Sequence, residues 1–225
     1  MTGKVSVRVP GSTSNLGSGF DTVSAALSIY LDITAEAIPG GELVWTEDFR
    51  LEPEDNMILQ AFQSACGYLG FQSPGLRFTV HNEIPLKRGL GSSAAAILGG
   101  IKLAEGLTGR RLSGDEIFSL AYPLEKHPDN LAASCLGGWA LSMVEDGRMS
   151  AASLESQLDL DYIVVIPEYT VSTSEARGIL PKTYSLADAV YNIQRVALLV
   201  HAVRSEERRV GKEWRSGWAP EHEKH

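Results

Sequence analysis

The sequence predicts an α+β fold. Three observations carry this. Some segments alternate apolar and polar residues with the period of a strand. Others repeat apolar residues with the period of a helix. The two kinds are mixed, with connections that look antiparallel. "VSVRVP" (5–10) puts Val5, Val7 and Val9 on one face, as a strand does. "GSTSNLGSGF" (11–20) has loop chemistry. "SIYLDITAEAI" (28–38) alternates again, and "GG" at 40–41 reads as a turn before "ELVW". From Asn56 to Leu69 the period lengthens, and Ile58, Leu59, Phe62, Ala65, Cys66 and Leu69 form a helical stripe. "LRFTVH" (76–81) returns to period two, and a helix is expected from about Ser92 to Leu107. "SGDE" (113–116) has capping-box spacing, with Ser113 as cap and Glu116 reaching back. That helix should run to about Pro123. "GGWALSMVED" (137–146) and "DYIVVIP" (161–167) read as strands. "STSEARGIL" (172–180) and "SLADAVYNIQRVALLVHAV" (185–203) read as helices, the second long and strongly periodic.

The 225 residues, 44% of them apolar, suffice for one large domain or two small ones with a proper core. A net charge of −8 without a basic stripe speaks against nucleic acid or an anionic membrane as partner. Cys66 and Cys135 lie in apolar surroundings and read as core thiols, not as a disulfide framework or a metal site. "MTGKVSVRVPG" has no apolar leader core, and no later run reaches the roughly 18 apolar residues of a membrane span. A reducing, cytoplasmic setting is the expectation.

The last 22 residues stand apart. "RSEERRVGKEWRSGWAPEHEKH" (204–225) holds six basic and five acidic residues and no clear apolar period. It reads as a solvated tail, with an interaction segment as the alternative. "RSEERRVGKEWRSGW" also resembles the in-frame translation of a sequencing adaptor, so the native chain is expected to break off near Val203 or Arg204.

Three segments carry candidate chemistry. In "KRGLGSSAAAILGG" (87–100), Gly89 and Gly91 let backbone approach a ligand closely, and Ser92 and Ser93 open a helix. A helix N-terminus suits phosphate, although the stretch is no Walker A loop. Alone, it reads equally as a Gly-Ser turn capping a helix. "PGSTSNLGSGFD" (10–21) sets Asn15 and Asp21 six apart in a glycine-rich loop, where they could also satisfy loop backbone. "EKHPDNLAASCLGG" (125–138) gathers Glu125, His127, Asp129 and Asn130 at the start of a short helix. There His127 could be a turn residue, and Asp129 and Asn130 could be N-caps.

Together these segments resemble the GHMP kinases. "IPLKRGLGSSAAA" is similar to that family's phosphate loop. "VPGSTSNLGSGFD", "HPDNLAASCLGGW" and "YTVSTSEARGILP" (169–181) resemble the homoserine kinase branch, and the resemblance runs from about residue 5 to 203. It implies a two-domain GHMP kinase-like fold. Residues 1–155 would be a ribosomal S5 domain 2-like, ATP-binding half. Residues 156–203 would begin a ferredoxin-like half that is cut short, and residues 204–225 would lie outside both. A long last helix with an exposed apolar face, poor stability and little activity are then expected.

The resemblance also implies roles. Gly89, Leu90, Gly91, Ser92, Ser93 and Ala94 would wrap the ATP phosphates, with positive charge from Lys87 and Arg88. One of the serine hydroxyls, Ser93 or its neighbour Ser92, would hold Mg²⁺ with Glu125, since the ion wants oxygen ligands. Asn56 falls where the branch contacts adenine, an ordinary helix cap being the other reading. Asn15, Asp21, His127 and Asp129 would meet the amino-acid substrate, with Asp21 a partner for its ammonium group. Thr173 and Arg177 would reach its carboxylate. Asn130 stands where mevalonate kinase-like members resemble an aspartate that accepts the hydroxyl proton, and Asn cannot accept it. Catalysis would then rest on in-line positioning and electrostatics, with the proton leaving late, for example to a phosphate oxygen. The implied reaction is ATP-dependent phosphorylation of the L-homoserine hydroxyl to O-phospho-L-homoserine, on the route to threonine. Two alternatives stay open: a kinase for another hydroxylated metabolite, and an inactive nucleotide-binding fragment. No nucleic-acid or membrane partner is expected, and a homodimer is left open.

Overall fold

The computed structural model describes residues 3–46, 56–156, 160–166 and 177–205. Its six-stranded sheet is organised by one long strand, β2 (Val23–Ile38). β1 (Lys4–Ser14) pairs antiparallel along one edge of β2. On the other edge, β4 (Gly75–Asn82) pairs with Leu31–Ile38 and β5 (Trp139–Glu145) with Val23–Ala25. β3 (Leu43–Trp45) joins β4 in parallel, and β6 (Arg148–Leu154) joins β5 antiparallel.

Five helices complete the described chain: α1 (Met57–Leu69), α2 (Ser92–Thr108), α3 (Gly114–Ala121), α4 (Pro128–Leu136) and α5 (Leu186–Arg204). α2 is the central one. Ala94, Ala95, Ile97, Leu98 and Ile101 are buried with Leu31, Ile33, Phe62 and Phe78 in one core. Phe62 meets Phe78 edge-on at 5.8 Å between ring centres. Burying each such large side chain contributes about 1.5–3 kcal/mol. At Gly100 a Cβ would lie 2.3 Å from the Ile58 carbonyl oxygen, so only glycine lets α2 touch α1 backbone to backbone.

Most expected elements appear within a few residues of their predicted bounds. The capping box is present: Ser113 Oγ accepts the Glu116 N–H at 3.2 Å, and Glu116 Oε2 accepts the Ser113 N–H at 2.8 Å. Three expectations are corrected. The loop expected over 11–20 starts at Asn15, because β1 runs on through Gly11–Ser14 after a register slip between Pro10 and Gly11. Cross-strand pairing with Ser24–Leu27 outweighs the turn-prone composition of that stretch. "DYIVVIP" is not a strand where it is described. Residues 161–166 find no partner ladder among the described residues, and Ile163 and Val165 are 90% and 86% exposed. An apolar run alone does not make a strand. The third correction is β6, which was not expected. Asp146 (φ 49°) and Gly147 (φ 74°) form the two-residue turn from β5, with Glu145 facing Arg148.

α5 starts at a Ser185 cap and exposes Leu186 and Ile193. Its buried residue is Val203. Of the expected helix over 172–180, residues 177–180 are described, and Arg177–Gly178 are helical. The rest of that segment, and residues 206–225 of the charged C-terminal segment, lie outside the described residues. No described helix is long and apolar enough to cross a membrane.

Candidate active site

The glycine stretch folds as a tight loop into α2. Lys87, Gly89 and Gly91 all have left-handed backbone, with φ of 57°, 71° and 71°. Gly91 is the N-cap of α2, and among the described residues no side chain caps it. α1, α3 and α5 are capped by Asn56, Ser113 and Ser185. The start of α2 therefore has no N-cap side chain as acceptor, and no acidic residue sits in its first turn. A helix start of this kind favours an anion. The loop is pinned to β1. The Leu90 carbonyl accepts the Ser12 N–H at 3.0 Å, and a Cβ on Gly91 would fall 2.1 Å from Ser12 Oγ. Leu90 and Ala94 are buried, Arg88, Ser92 and Ser93 half-buried, and Lys87 exposed.

Ser93 links this loop to the start of α4. Its hydroxyl bonds to the Glu125 carboxylate. Oε1 of Glu125 also accepts the His127 N–H at 3.2 Å and forms a short contact with His127 Nδ1. Burial pushes the Glu125 carboxyl up, but the hydrogen bonds from His127 and Ser93 outweigh it and hold the group below the usual carboxylate range. The same bond to Glu125 holds the His127 imidazolium above its ordinary value against the opposing effect of burial. Both shifts favour the ionised pair in the folded chain. No group of three or more Asp, Glu, His or Cys side chains forms a metal cluster among the described residues. Ser93 and Glu125 still fit Mg²⁺, which commonly takes one or two protein oxygens and completes its shell with phosphate and water.

That pairing predicts a pH window. The raised imidazole value contributes stability that is full below about pH 6.5 and is lost as pH rises through the folded value. The lowered carboxyl value contributes above about pH 4.5 and is lost as pH falls through its folded value. His127→Gln should therefore cost about 1 kcal/mol near pH 6 and progressively less towards pH 9. Urea unfolding of both proteins at the two pH values checks this. An equal cost at both would mean that the imidazole is neutral.

Asp21 and Asn15 close the loop after β1. Both have left-handed backbone, with φ of 52° and 58°, and Asn15 Oδ1 accepts the Asp21 N–H at 2.8 Å. Arg177 forks onto Asp21. Nη1 donates to Oδ2 at 2.9 Å, Nη2 makes a short bond to Oδ1, and the guanidinium lies 5.2 Å over the Phe20 ring. Asp21, Lys126, Pro128 and Arg177 face one cleft of about 860 Å³. Asp129 lies beside it, 1% exposed. Its Oδ1 accepts the Asn130 N–H at 2.8 Å, whereas the buried Oδ2 has no hydrogen-bond partner among the described residues. Burial, above all, pushes this carboxyl up.

The Asn130 side chain is held from both ends. Oδ1 accepts from Ser12 Oγ at 3.0 Å, and Nδ2 donates to Ser14 Oγ at 3.2 Å. So the structure brings Gly89–Ala94, Glu125, His127, Asp129, Asn130, Asn15, Asp21 and Arg177 into one connected region. Asn56 is 1% exposed, and its Oδ1 caps α1 on the Leu59 N–H at 3.1 Å. Thr173 lies outside the described residues. Ser12, Ser14 and Ser134 were not singled out in the sequence. The only signal for Ser12 and Ser14 was the small-polar run "GSTS" (11–14), and Ser134 had none.

The family model for the GHMP kinases N terminal domain matches residues 56–138. A homoserine kinase of Caldicellulosiruptor bescii is 39% identical over 202 residues, covering 88% of this chain and 66% of that protein. One of Desulfitobacterium hafniense is 36% identical over 212 residues, covering 93% and 71%. The crystal structure of homoserine kinase from Cytophaga hutchinsonii aligns with a TM-score of 0.73 at 25% identity, covering 90% of this chain and 68% of that one. The chain thus spans about two thirds of the length of these relatives.

Proposed function

The chain belongs to the GHMP kinases, in the homoserine kinase branch, and from that premise we propose that it transfers the γ-phosphoryl group of ATP to the hydroxyl of L-homoserine. The observation that carries this reading is the meeting of two half-sites at Asn130. On one side lies an uncapped helix start behind a left-handed glycine loop, joined to Asn130 through Ser12. On the other lies a charge set that matches an amino acid. Asp21 and Arg177 satisfy each other in the free protein. A zwitterion would exchange that one ion pair for two, its ammonium on Asp21 and its carboxylate on Arg177. The orphaned Oδ2 of Asp129 offers the ammonium a further acceptor. In this reading residues 1–155 supply the nucleotide half of the site.

The residues then divide the work. The backbone of Gly89–Ala94 and the α2 dipole hold the phosphates, with Lys87 and Arg88 at the rim. Ser93 and Glu125 hold Mg²⁺, which would neutralise charge on the phosphates. The Asn130 carboxamide orients the substrate hydroxyl and takes no proton. The substrate proton departs late, to a phosphate oxygen.

ADP release by the chain, measured with L-homoserine, mevalonate, galactose and shikimate, tests this. Homoserine should lead, with kcat/KM for mevalonate lower by on the order of 10²-fold or more, because mevalonate has no ammonium group and leaves Asp21 and Asp129 without a partner. Equal or better turnover of any of the other three would overturn the substrate assignment.

A further inference from the structure

Behind the site, four side chains are joined in a line of hydrogen bonds with one direction. Ser134 Oγ donates to Ser12 Oγ at 3.0 Å, Ser12 Oγ donates to Asn130 Oδ1 at 3.0 Å, and Asn130 Nδ2 donates to Ser14 Oγ at 3.2 Å. Asn15 Nδ2 also donates to Ser14 Oγ, at 3.3 Å. Ser12 is fully buried and Ser134 nearly so. Each hydroxyl has one proton to give. Ser12 receives the proton of Ser134 and passes its own to Asn130. Two amide groups converge on the Ser14 oxygen, which accepts from both. Turning the Asn130 carboxamide over would reverse this order. Ser14 would have to donate to Oδ1 where it now accepts, and Ser12 would have to accept from Ser134 and Asn130 at once.

Ser12 has a second attachment. Its N–H holds Leu90 of the glycine loop, and its Oγ lies under Gly91. We propose that Ser12 and Ser14 are positioning residues: together they fix the Asn130 carboxamide in one of its two orientations, and Ser12 keeps it in register with the phosphate loop. This rests on the kinase reading above, and the test separates the two.

The variants are Ser12→Ala, Ser12→Thr and Ser14→Ala in the full chain. The first readout is independent of activity. The side-chain amide protons of Asn130, followed by ¹⁵N NMR and assigned with Asn130→Asp, should exchange with solvent at least about tenfold faster in both alanine variants, because a held amide is protected. Ser12→Thr keeps the hydroxyl and should retain slow exchange. The second readout is kinetic. Ser12→Ala should lower kcat about tenfold or more with little change in KM, since misplacement acts on the reacting geometry, and Ser12→Thr should restore it. Unchanged amide exchange in both alanine variants would overturn the proposal, as would an equal kcat loss in Ser12→Thr and Ser12→Ala. If the unmodified chain neither binds ATP nor turns over homoserine, the kinase reading fails by itself, and amide exchange still decides the positioning.

Discussion

Gly91→Ala is expected to cost both stability and nucleotide binding, and more than the same change two residues earlier. Gly89 and Gly91 share a left-handed φ of 71°, so alanine pays a backbone cost of about 1–2 kcal/mol at either position. Their surroundings differ. A Cβ on Gly89 meets nothing within 4 Å, whereas one on Gly91 would lie 2.1 Å from Ser12 Oγ and 3.0 Å from Ser12 N. Ser12 cannot retreat without releasing Leu90, Ser134 and Asn130. Gly91→Ala should therefore lose about 2–4 kcal/mol, against about 1–2 kcal/mol for Gly89→Ala. ATP affinity, measured by calorimetry, should fall at least about tenfold in the Gly91 variant, because the start of α2 is displaced from its approach to the phosphates. Equal losses in the two variants by urea unfolding would show that the contact with Ser12 decides nothing.

What could be read from the sequence follows the range of the forces involved. Helix signals are local, and they were legible. The Ser113–Glu116 box, the Asn56 cap and the stripe from Ile58 to Leu69 are written within a few residues of where they act. Strand membership depends on a distant partner. The serine-rich end of β1 reads as loop until Ser24–Leu27 is set beside it, and "DYIVVI" reads as strand until no partner ladder lies next to it. The β5–β6 hairpin was different, because its Asp146–Gly147 turn was a local signal, and the weak alternation of "RMSAASL" hid it. For the site, periodicity placed a helix start at Ser92, and only the family resemblance joined the neighbouring Ser93 to Glu125. The Asp21–Arg177 pair spans 156 positions, which no local pattern reports. The serine network behind Asn130 was least legible of all. Serine carries no strong propensity, and the significance of Ser12 comes entirely from the four groups it touches.

Asn130→Asp should not speed the reaction at any pH. If phosphoryl transfer here needed a side-chain base, supplying one would raise kcat by roughly 10²- to 10⁴-fold. The surroundings of Asn130 predict the reverse. An aspartate of the same shape could take the Ser12 proton on one oxygen, but its other oxygen would face Ser14 Oγ, where the amide now donates at 3.2 Å. Ser14 would have to donate there where it now accepts, and the adjacent Asp129 carboxyl is buried and already raised. The new carboxyl should therefore be held above its ordinary value in the folded chain. A carboxyl raised in this way destabilises the fold increasingly as pH rises past its unfolded value, so the variant should lose stability from about pH 4 upward. Where it does ionise, its charge lies beside the region proposed for the phosphates and opposes their approach. We expect kcat to fall at least about tenfold between about pH 6 and 9, with saturating ATP and homoserine. A gain that follows the titration of a carboxylate would show that a missing base limits the native reaction, and positioning alone would no longer account for it. Asp129→Asn belongs beside this measurement. If Asp129 were the base in the native chain, its loss would cost a comparable 10²- to 10⁴-fold in kcat. A binding role would instead appear mainly as a higher KM for homoserine, because the acceptor withdrawn would be one that the ammonium group uses in the ground state and the transition state alike.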